Sequence, residues 1–353
     1  MQYDDDVSEA NQLPPDAVLF QALTGFMVSR SLSAVAELSV ADALRDRPLT
    51  GSELAHAVGA NERFLRRVMR LLVSVGIFAE PTPGTYALTS VSELLRSDHP
   101  NSLRDLAAML TSESHWRAWG ELTEAVRTGS SGSCLAFGTD AFTWFQRREN
   151  KAQWDLFNAA MTSYSAATSM AVVQSYDFSR FRHIIDVGGG RGFFLRTVLS
   201  KATQASGTLF DLPGVFEGGG IDTLGGRIAC VGGDFFTSVP EGGDCYVLKH
   251  IVHDWDDERC HTFLGNIARI MDPAGTVIIV DMVMPDGPEP ALAKVADINM
   301  LAFTEGGCER TEREFAALFE SAGLQLKAIH TTPIVSVVEA VKRREDAGGQ
   351  RAR

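Results

Sequence analysis

The hydrophobic pattern of the chain changes period along its length. From Asp16 to Leu44 apolar residues recur at helical spacing: Leu19, Leu23, Phe26 and Met27, then Leu32, Val35, Leu38 and Val40. This predicts two helices. Thr50-Gly51-Ser52-Glu53 has the Thr and Glu spacing of a capping box, and Gly59 closes the helix it opens. Asn61 starts another helix, Glu62 to Val75, with Phe64, Leu65, Val68, Leu71 and Leu72 on one face, and Gly76 stops it. Ile77-Phe78, the turn Pro81-Thr82-Pro83-Gly84 and Tyr86-Ala87-Leu88 read as a small hairpin. Helix, turn, helix and hairpin together make a winged-helix pattern. Residues 101 to 176 read as further helices rich in Trp, Phe and Met, interrupted by a loop at Thr128-Gly129-Ser130-Ser131-Gly132-Ser133.

From His183 onward short β-branched runs alternate with helical segments: His183 to Val187, Thr208 to Phe210, Arg227 to Val231, Cys245 to Leu248 and Thr276 to Val280. Nearly continuous apolar strands between helices imply an α/β fold with a mostly parallel sheet covered on both faces. Thr311-Glu312-Arg313-Glu314 is a second capping box, and its helix stops at Gly323. The runs Leu324 to His330 and Val335 to Ala340, around Pro333, predict an antiparallel hairpin at the sheet edge.

Length and charge narrow the possibilities. A chain of 353 residues suggests two domains. The expected divisions are a tail at 1–16, the winged-helix domain at 17–100, a helical region at 101–180, the α/β domain at 181–343 and a tail at 344–353. A winged helix can bind DNA, and Arg63, Arg66, Arg67 and Arg70 lie on its second helix. The net charge of −13 opposes binding to phosphates, so dimerisation is the expected role and no nucleic acid is the expected partner. No apolar run approaches the roughly 20 residues that span a bilayer. The acidic start, Met1 to Asp6, lacks the apolar core of a signal peptide, so a cytoplasmic location without membrane attachment is expected. The five cysteines are scattered without a Cys-x-x-Cys pair, which disfavours a zinc or disulfide framework.

The candidate chemistry starts at Gly188-Gly189-Gly190-Arg191-Gly192, which follows a strand and opens a helix. Glycines allow close backbone approach, and the helix N-terminus offers free N–H groups. A dinucleotide fingerprint would place Gly where Phe193 stands, so a nicotinamide dehydrogenase is disfavoured. The pattern is instead Asp-x-Gly-x-Gly-x-Gly from Asp186, a spacing associated with S-adenosylmethionine. Asp211, after the second strand, can accept both ribose hydroxyls. Asp234, beside Phe235 and Phe236 after the third, can bond the adenine amino group while the rings pack on it.

These features resemble the plant-type caffeate and flavonoid O-methyltransferases and their bacterial relatives of antibiotic and pigment biosynthesis. The resemblance runs from about Leu19 to Lys342. Its most specific stretches are Asp186 to Gly192, His253-Asp254-Trp255 with Asp256-Asp257-Glu258, and Gly306-Gly307-Cys308-Glu309-Arg310-Thr311. It implies a Rossmann-like class I methyltransferase domain and an N-terminal dimerisation domain, hence a homodimer. It implies that Gly188 and Gly190 approach the methionine part of the cofactor, Asp211 holds the ribose, Asp234 and Phe235 hold the adenine, Lys249 joins the site and Trp255 stacks near the adenine. His253 is implied as the general base, with Asp281 and Glu309 as its acidic partners. Phe157, Met161 and Met300 match positions lining the acceptor pocket. Tyr164 and Thr304 are pocket positions where the chain departs from the plant members.

The implied reaction is in-line methyl transfer from S-adenosylmethionine to a hydroxyl of a small aromatic metabolite, leaving S-adenosylhomocysteine. The sulfonium methyl is already activated, so no metal is required. A phenol has a pKa near 10, within reach of an imidazole base. A carboxylate on the far ring nitrogen, from Asp281 or Glu309, would fix its tautomer. His250 and His261 have no such support and are expected to be structural. The rival readings are a decarboxylase or hydroxylase on the same scaffold, which His253 and both carboxylates argue against, and a winged-helix regulator, which the charge and the α/β domain argue against.

Overall fold

The computed structural model describes residues 13–216 and 220–343. The expected tail 344–353, and all of the N-terminal tail before Leu13, lie outside them. The chain forms two compact units. One comprises the chain up to Glu113 together with Asp155–Ser163; the other comprises Ser114–Trp154 and the chain from Tyr164 onward.

In the first unit a helix runs Pro15–Glu37, with proline at its start, where the missing N–H costs nothing. Ser39, in the left-handed region at φ 56°, separates it from a short helix, Val40–Ala43. The Thr50 box forms in full: the Thr50 hydroxyl accepts from Glu53 N, and the Glu53 carboxylate accepts from Thr50 N. Asn61 caps the helix Glu62–Ser74. The strands β1 (Leu49–Thr50), β2 (Phe78–Thr82) and β3 (Thr85–Leu88) form a small antiparallel sheet in the order β1-β3-β2.

The buried face of Glu62–Ser74 is rotated from the expected one. Leu65, Met69 and Leu72 enter the core with Leu54, Phe78 and Tyr86, whereas Phe64 is 62% exposed. On Pro15–Glu37 the apolar residues Leu19, Phe20 and Leu23 all stand in solvent within the single chain. By length and a mean hydropathy of 1.3 this helix is long and apolar enough to cross a bilayer. The expectation that no segment was is corrected here, because interspersed Gly, Ser and Thr interrupt the apolar run without lowering the mean enough.

The second unit is built on a seven-stranded sheet. Its strands are β4 (His183–Val187), β5 (Ser206–Asp211), β6 (Ile228–Gly232), β7 (Cys245–Lys249), β8 (Thr276–Asp281), β11 (Leu324–Thr331) and β12 (Ser336–Lys342). The order is β11-β12-β8-β7-β4-β5-β6; β4 to β8 are parallel, and β12 pairs antiparallel with both β8 and β11. Val, Ile and Leu from both faces of the central strands β4, β7 and β8 are fully buried, as expected of a covered parallel sheet, whereas Val231 on the edge strand β6 is exposed. Phe263, Ile267, Phe315 and Phe319 pack one face, and Val172, Phe194, Val198 and Leu199 the other. A two-residue parallel pair, β9 (Val283–Met284) with β10 (Arg310–Thr311), is too short to show in the sequence pattern, yet it brings the segment carrying Glu309 beside the end of β8.

Candidate active site

The chain order reverses at β4: β5 and β6 lie on one side, β7 and β8 on the other. Open α/β sheets bind ligands in the crevice beyond the carboxyl ends of the strands at such a switch point. Val187, Asp211, Gly232, Lys249 and Asp281 are those ends.

The turn after β4 has the geometry its glycines predict. Gly188, Gly190 and Gly192 have φ of 72°, 57° and 75°, a region that side chains other than glycine rarely occupy. A Cβ on Gly188 would lie 2.5 Å from Ile251 Cδ1, and one on Gly189 would lie 2.5 Å from the Asp186 carboxyl. Gly190 N donates to Asp211 Oδ2 (2.8 Å) and Leu212 N to Asp211 Oδ1 (2.7 Å), so Asp211 is locked against the turn. Burial raises the pKa of its carboxyl, and the two N–H donors oppose that. Asp186 lies inside β4, fully buried with neither oxygen hydrogen-bonded; burial pushes it up to about 7, and the charge of Lys249 pulls the other way. Lys249, brought down to about 7 by burial, donates to Ser165 Oγ (3.0 Å).

Asp234 is exposed and accepts from Phe236 N (2.9 Å). Phe235 and Phe236 tilt against each other at 4.7 Å, and Trp255 meets Phe236 edge-on at 4.9 Å. These residues form an aromatic wall next to the glycine turn, since Phe235 also reaches within 3.7 Å of where a Gly188 Cβ would sit.

The sequence left open which carboxylate meets His253. Glu309 Oε1 lies 2.9 Å from His253 Nδ1, a hydrogen bond; Asp281 Oδ1 is at 3.9 Å, too far for one. Asp254 Oδ1 approaches the other nitrogen, Nε2, at 3.8 Å. Burial depresses the imidazole, and Asp281, Asp254 and Glu309 together overcome it, raising His253 to about 10. Asp281 is raised above the carboxylate range by its own complete burial.

Three neighbours were not picked out from sequence. His250 was set aside as structural, yet its ring stacks on that of His253 with centroids 5.5 Å apart, and its Nδ1 is 3.6 Å from Asp281 Oδ1. Arg310, 2% exposed, donates to the Val252 and Trp255 carbonyls (3.0 and 2.8 Å) and to Asp257, pinning the turn that carries His253. Asp297 accepts from Glu309 N (2.9 Å) and fixes the other partner. A Cβ on Gly307 would come 2.4 Å from the His253 carbonyl, so this glycine allows the two segments to touch.

The proposed pocket residues divide between the units. Tyr164 places its ring 5.1 Å from that of His250. Met300 is half-buried, and buried Thr304 returns its hydroxyl to the Met300 carbonyl (2.9 Å). Phe157 and Met161 belong to the stretch Asp155–Ser163, grouped with the first unit.

A family model for the O-methyltransferase domain matches residues 119–325, and one for the O-methyltransferase dimerisation domain matches residues 20–113. The chain belongs to the O-methyltransferase family. A phenazine O-methyltransferase of Lysobacter antibioticus is 38% identical over 338 residues, covering 94% of this chain and 98% of that protein. A methyltransferase of calicheamicin biosynthesis, solved with S-adenosylhomocysteine, superposes with a TM-score of 0.85 at 33% identity, over 94% of this chain and 100% of that one. An O-methyltransferase of neocarzinostatin biosynthesis, solved with S-adenosylmethionine and 2-hydroxy-5-methyl naphthoic acid, has a TM-score of 0.74 at 30% identity, over 94% and 100%.

The protein is thus an S-adenosylmethionine-dependent O-methyltransferase of secondary metabolism, with the class I fold and a dimerisation domain at its N-terminal end. Its decarboxylase, hydroxylase and regulator alternatives are not favoured. The residues present suit the cofactor: a glycine cradle that a Cβ would obstruct, and at its rim the buried, unpartnered Asp186 carboxyl.

Proposed function

We propose that this O-methyltransferase acts on a hydroxyl of a small aromatic metabolite, with His253 as general base and Glu309 as the group that orients it. The observation that carries the reading is the 2.9 Å contact between Glu309 and His253 Nδ1. A donor at Nδ1 leaves Nε2 as the nitrogen that can take a proton from the acceptor. Asp281, 3.9 Å away, adds charge rather than a hydrogen bond and favours the protonated ring.

When bound, S-adenosylmethionine supplies a methyl group on a positively charged sulfur. Gly188 and Gly190 would admit its methionine portion, Asp211 would accept from the ribose hydroxyls, and Asp234, Phe235 and Trp255 would hold the adenine, with Lys249 behind them. Asp211 still has one free lone pair on each oxygen after its two backbone bonds. Asp211→Ala is expected to weaken cofactor binding by about 1.5–3 kcal/mol, tenfold or more, as loss of a hydrogen-bonding carboxylate does. Unchanged binding by calorimetry would remove Asp211 from the site.

Tyr164, Met300 and Thr304 would shape the acceptor pocket. The exposed Leu19, Phe20 and Leu23 fit burial in a homodimer. Incubation with a panel of phenols and methyl-labelled S-adenosylmethionine should yield a mass gain of one methyl, located on oxygen by fragmentation. Label found only on nitrogen or carbon across the panel would overturn the assignment of the acceptor.

A further inference from the structure

The group around Asp281 carries an electrostatic problem that methyl transfer does not use. Of the seven buried side-chain polar atoms without a hydrogen-bond partner among the described residues, four meet here: both Asp281 oxygens, His250 Nδ1 and Glu309 Oε2. Buried polar atoms are ordinarily paired, and a cluster of orphans points to a missing cation, proton or water.

The tautomer of His250 sharpens this. The Thr168 hydroxyl donates to the Tyr164 carbonyl (3.0 Å), so its oxygen faces His250 Nε2, at 3.5 Å, as an acceptor. That pairing favours the tautomer with the His250 proton on Nε2, in which Nδ1 turns a lone pair toward the Asp281 carboxylate 3.6 Å away. Two lone pairs facing each other repel unless a cation lies between them. His250 itself is held in the left-handed region, at φ 55°, a conformation that non-glycine residues keep only when the surroundings impose it.

We propose that His250, His253 and Asp281, joined by Glu309, form a binding site for a zinc-like divalent cation, and that an ion there inhibits the enzyme. One ligand atom from each of His250, His253 and Asp281 lies within 4.8 Å of the others. Zinc bonds of about 2.0–2.2 Å in a tetrahedron need ligand separations of about 3.3–3.5 Å. Three separations, 3.6, 3.9 and 2.9 Å, stand within about half an ångström of that, and the His250 and His253 ligand atoms, within 4.8 Å of each other, would draw together on the ion. Two neutral imidazoles and two carboxylates make a charge-neutral site for a divalent ion, with Thr168 orienting one imidazole from outside.

Inhibition follows from the ring chemistry. An ion on His253 Nδ1 displaces the proton shared with Glu309. The neutral ring then carries its remaining proton on Nε2, the nitrogen that must be free to accept one. The binding half of this inference is independent of the proposed base; the inhibition half rests on it.

The test uses the metal-free full-length enzyme titrated with Zn2+ by calorimetry and with Co2+ by visible absorption, alongside turnover. The expected result is one high-affinity ion per chain, tetrahedral Co2+ bands, and activity that falls as the site fills and returns with a chelator. His250→Asn should weaken zinc at least about tenfold, and His250→Gln serves if the first variant does not fold. Cys230→Ser tests the exposed thiol and should leave the response intact. Zinc affinity unchanged in His250→Asn, or lost in Cys230→Ser, would overturn the site. His250-dependent binding without inhibition would overturn the inhibitory role and, with it, the assignment of His253 Nε2 as the base.

Discussion

His253→Ala is expected to lose about 10²–10⁴-fold in turnover while binding S-adenosylmethionine as the parent does. The loss is the contribution of general-base assistance; what remains is the orientation of two bound reactants, which the substitution leaves in place. Cofactor affinity should hold because Gly188, Gly190, Asp211 and Lys249 reach their positions through β4, β5 and β7, without a bond to the His253 ring. Removing the imidazole also takes away the cation beside Asp254 and Asp281, which then take up protons more readily. The variant's melting temperature should therefore be measured beside its rate, so that a folding defect is not read as lost catalysis. Turnover within about threefold of the parent would exclude His253 as the base.

The cofactor turn was legible because its information is local. Strand, Gly188 to Gly192 and helix are consecutive in sequence, and each positive φ falls on a glycine. Both capping boxes, at Thr50 and Thr311, were readable for the same reason and both form. The acidic partner of His253 could be narrowed to Asp281 or Glu309 but not chosen. The choice depends on the β9–β10 pairing, two residues on each side, which no periodicity announces. His250 was missed because its meaning depends on Asp281, one strand away, and on Thr168 and Tyr164 from a distant helix. Arg310 carried a sequence signal, a basic residue beside Glu309 in a distinctive motif, but its burial against the carbonyls of Val252 and Trp255 did not follow from composition. The face of Glu62–Ser74 was placed about one residue off, since Phe64 and Met69 are equally acceptable core residues until the neighbouring strands decide.

The rate with a simple phenol is expected to rise about tenfold per pH unit between roughly pH 7 and 9. Transfer needs one proton fewer on the pair formed by the acceptor hydroxyl and His253: either neutral imidazole with phenol, or imidazolium with phenolate. His253 is raised to about 10 because Asp281, Asp254 and Glu309 outweigh the opposing effect of its burial. An ordinary phenol also has a pKa near 10. Below that value both groups hold their protons, so the competent fraction grows with pH until one of them is lost. The sign gives two further outcomes. An electron-poor phenol, which ionises earlier, should move the acid limb down to its own pKa, because phenolate beside the imidazolium is already competent. Asp281→Asn removes a charge that favours the imidazolium while the burial remains, so His253 should titrate lower and the limb for an ordinary phenol should shift to lower pH. A rate with that phenol that stays flat across this range would mean that His253 rests neutral among its three carboxylates, and the ion-pair account of the site would fall. A limb that follows the acceptor's pKa and also answers to Asp281→Asn ties both halves of the proton pair to named atoms, because a merely structural Asp281 would change the amplitude of the profile and leave its midpoint in place.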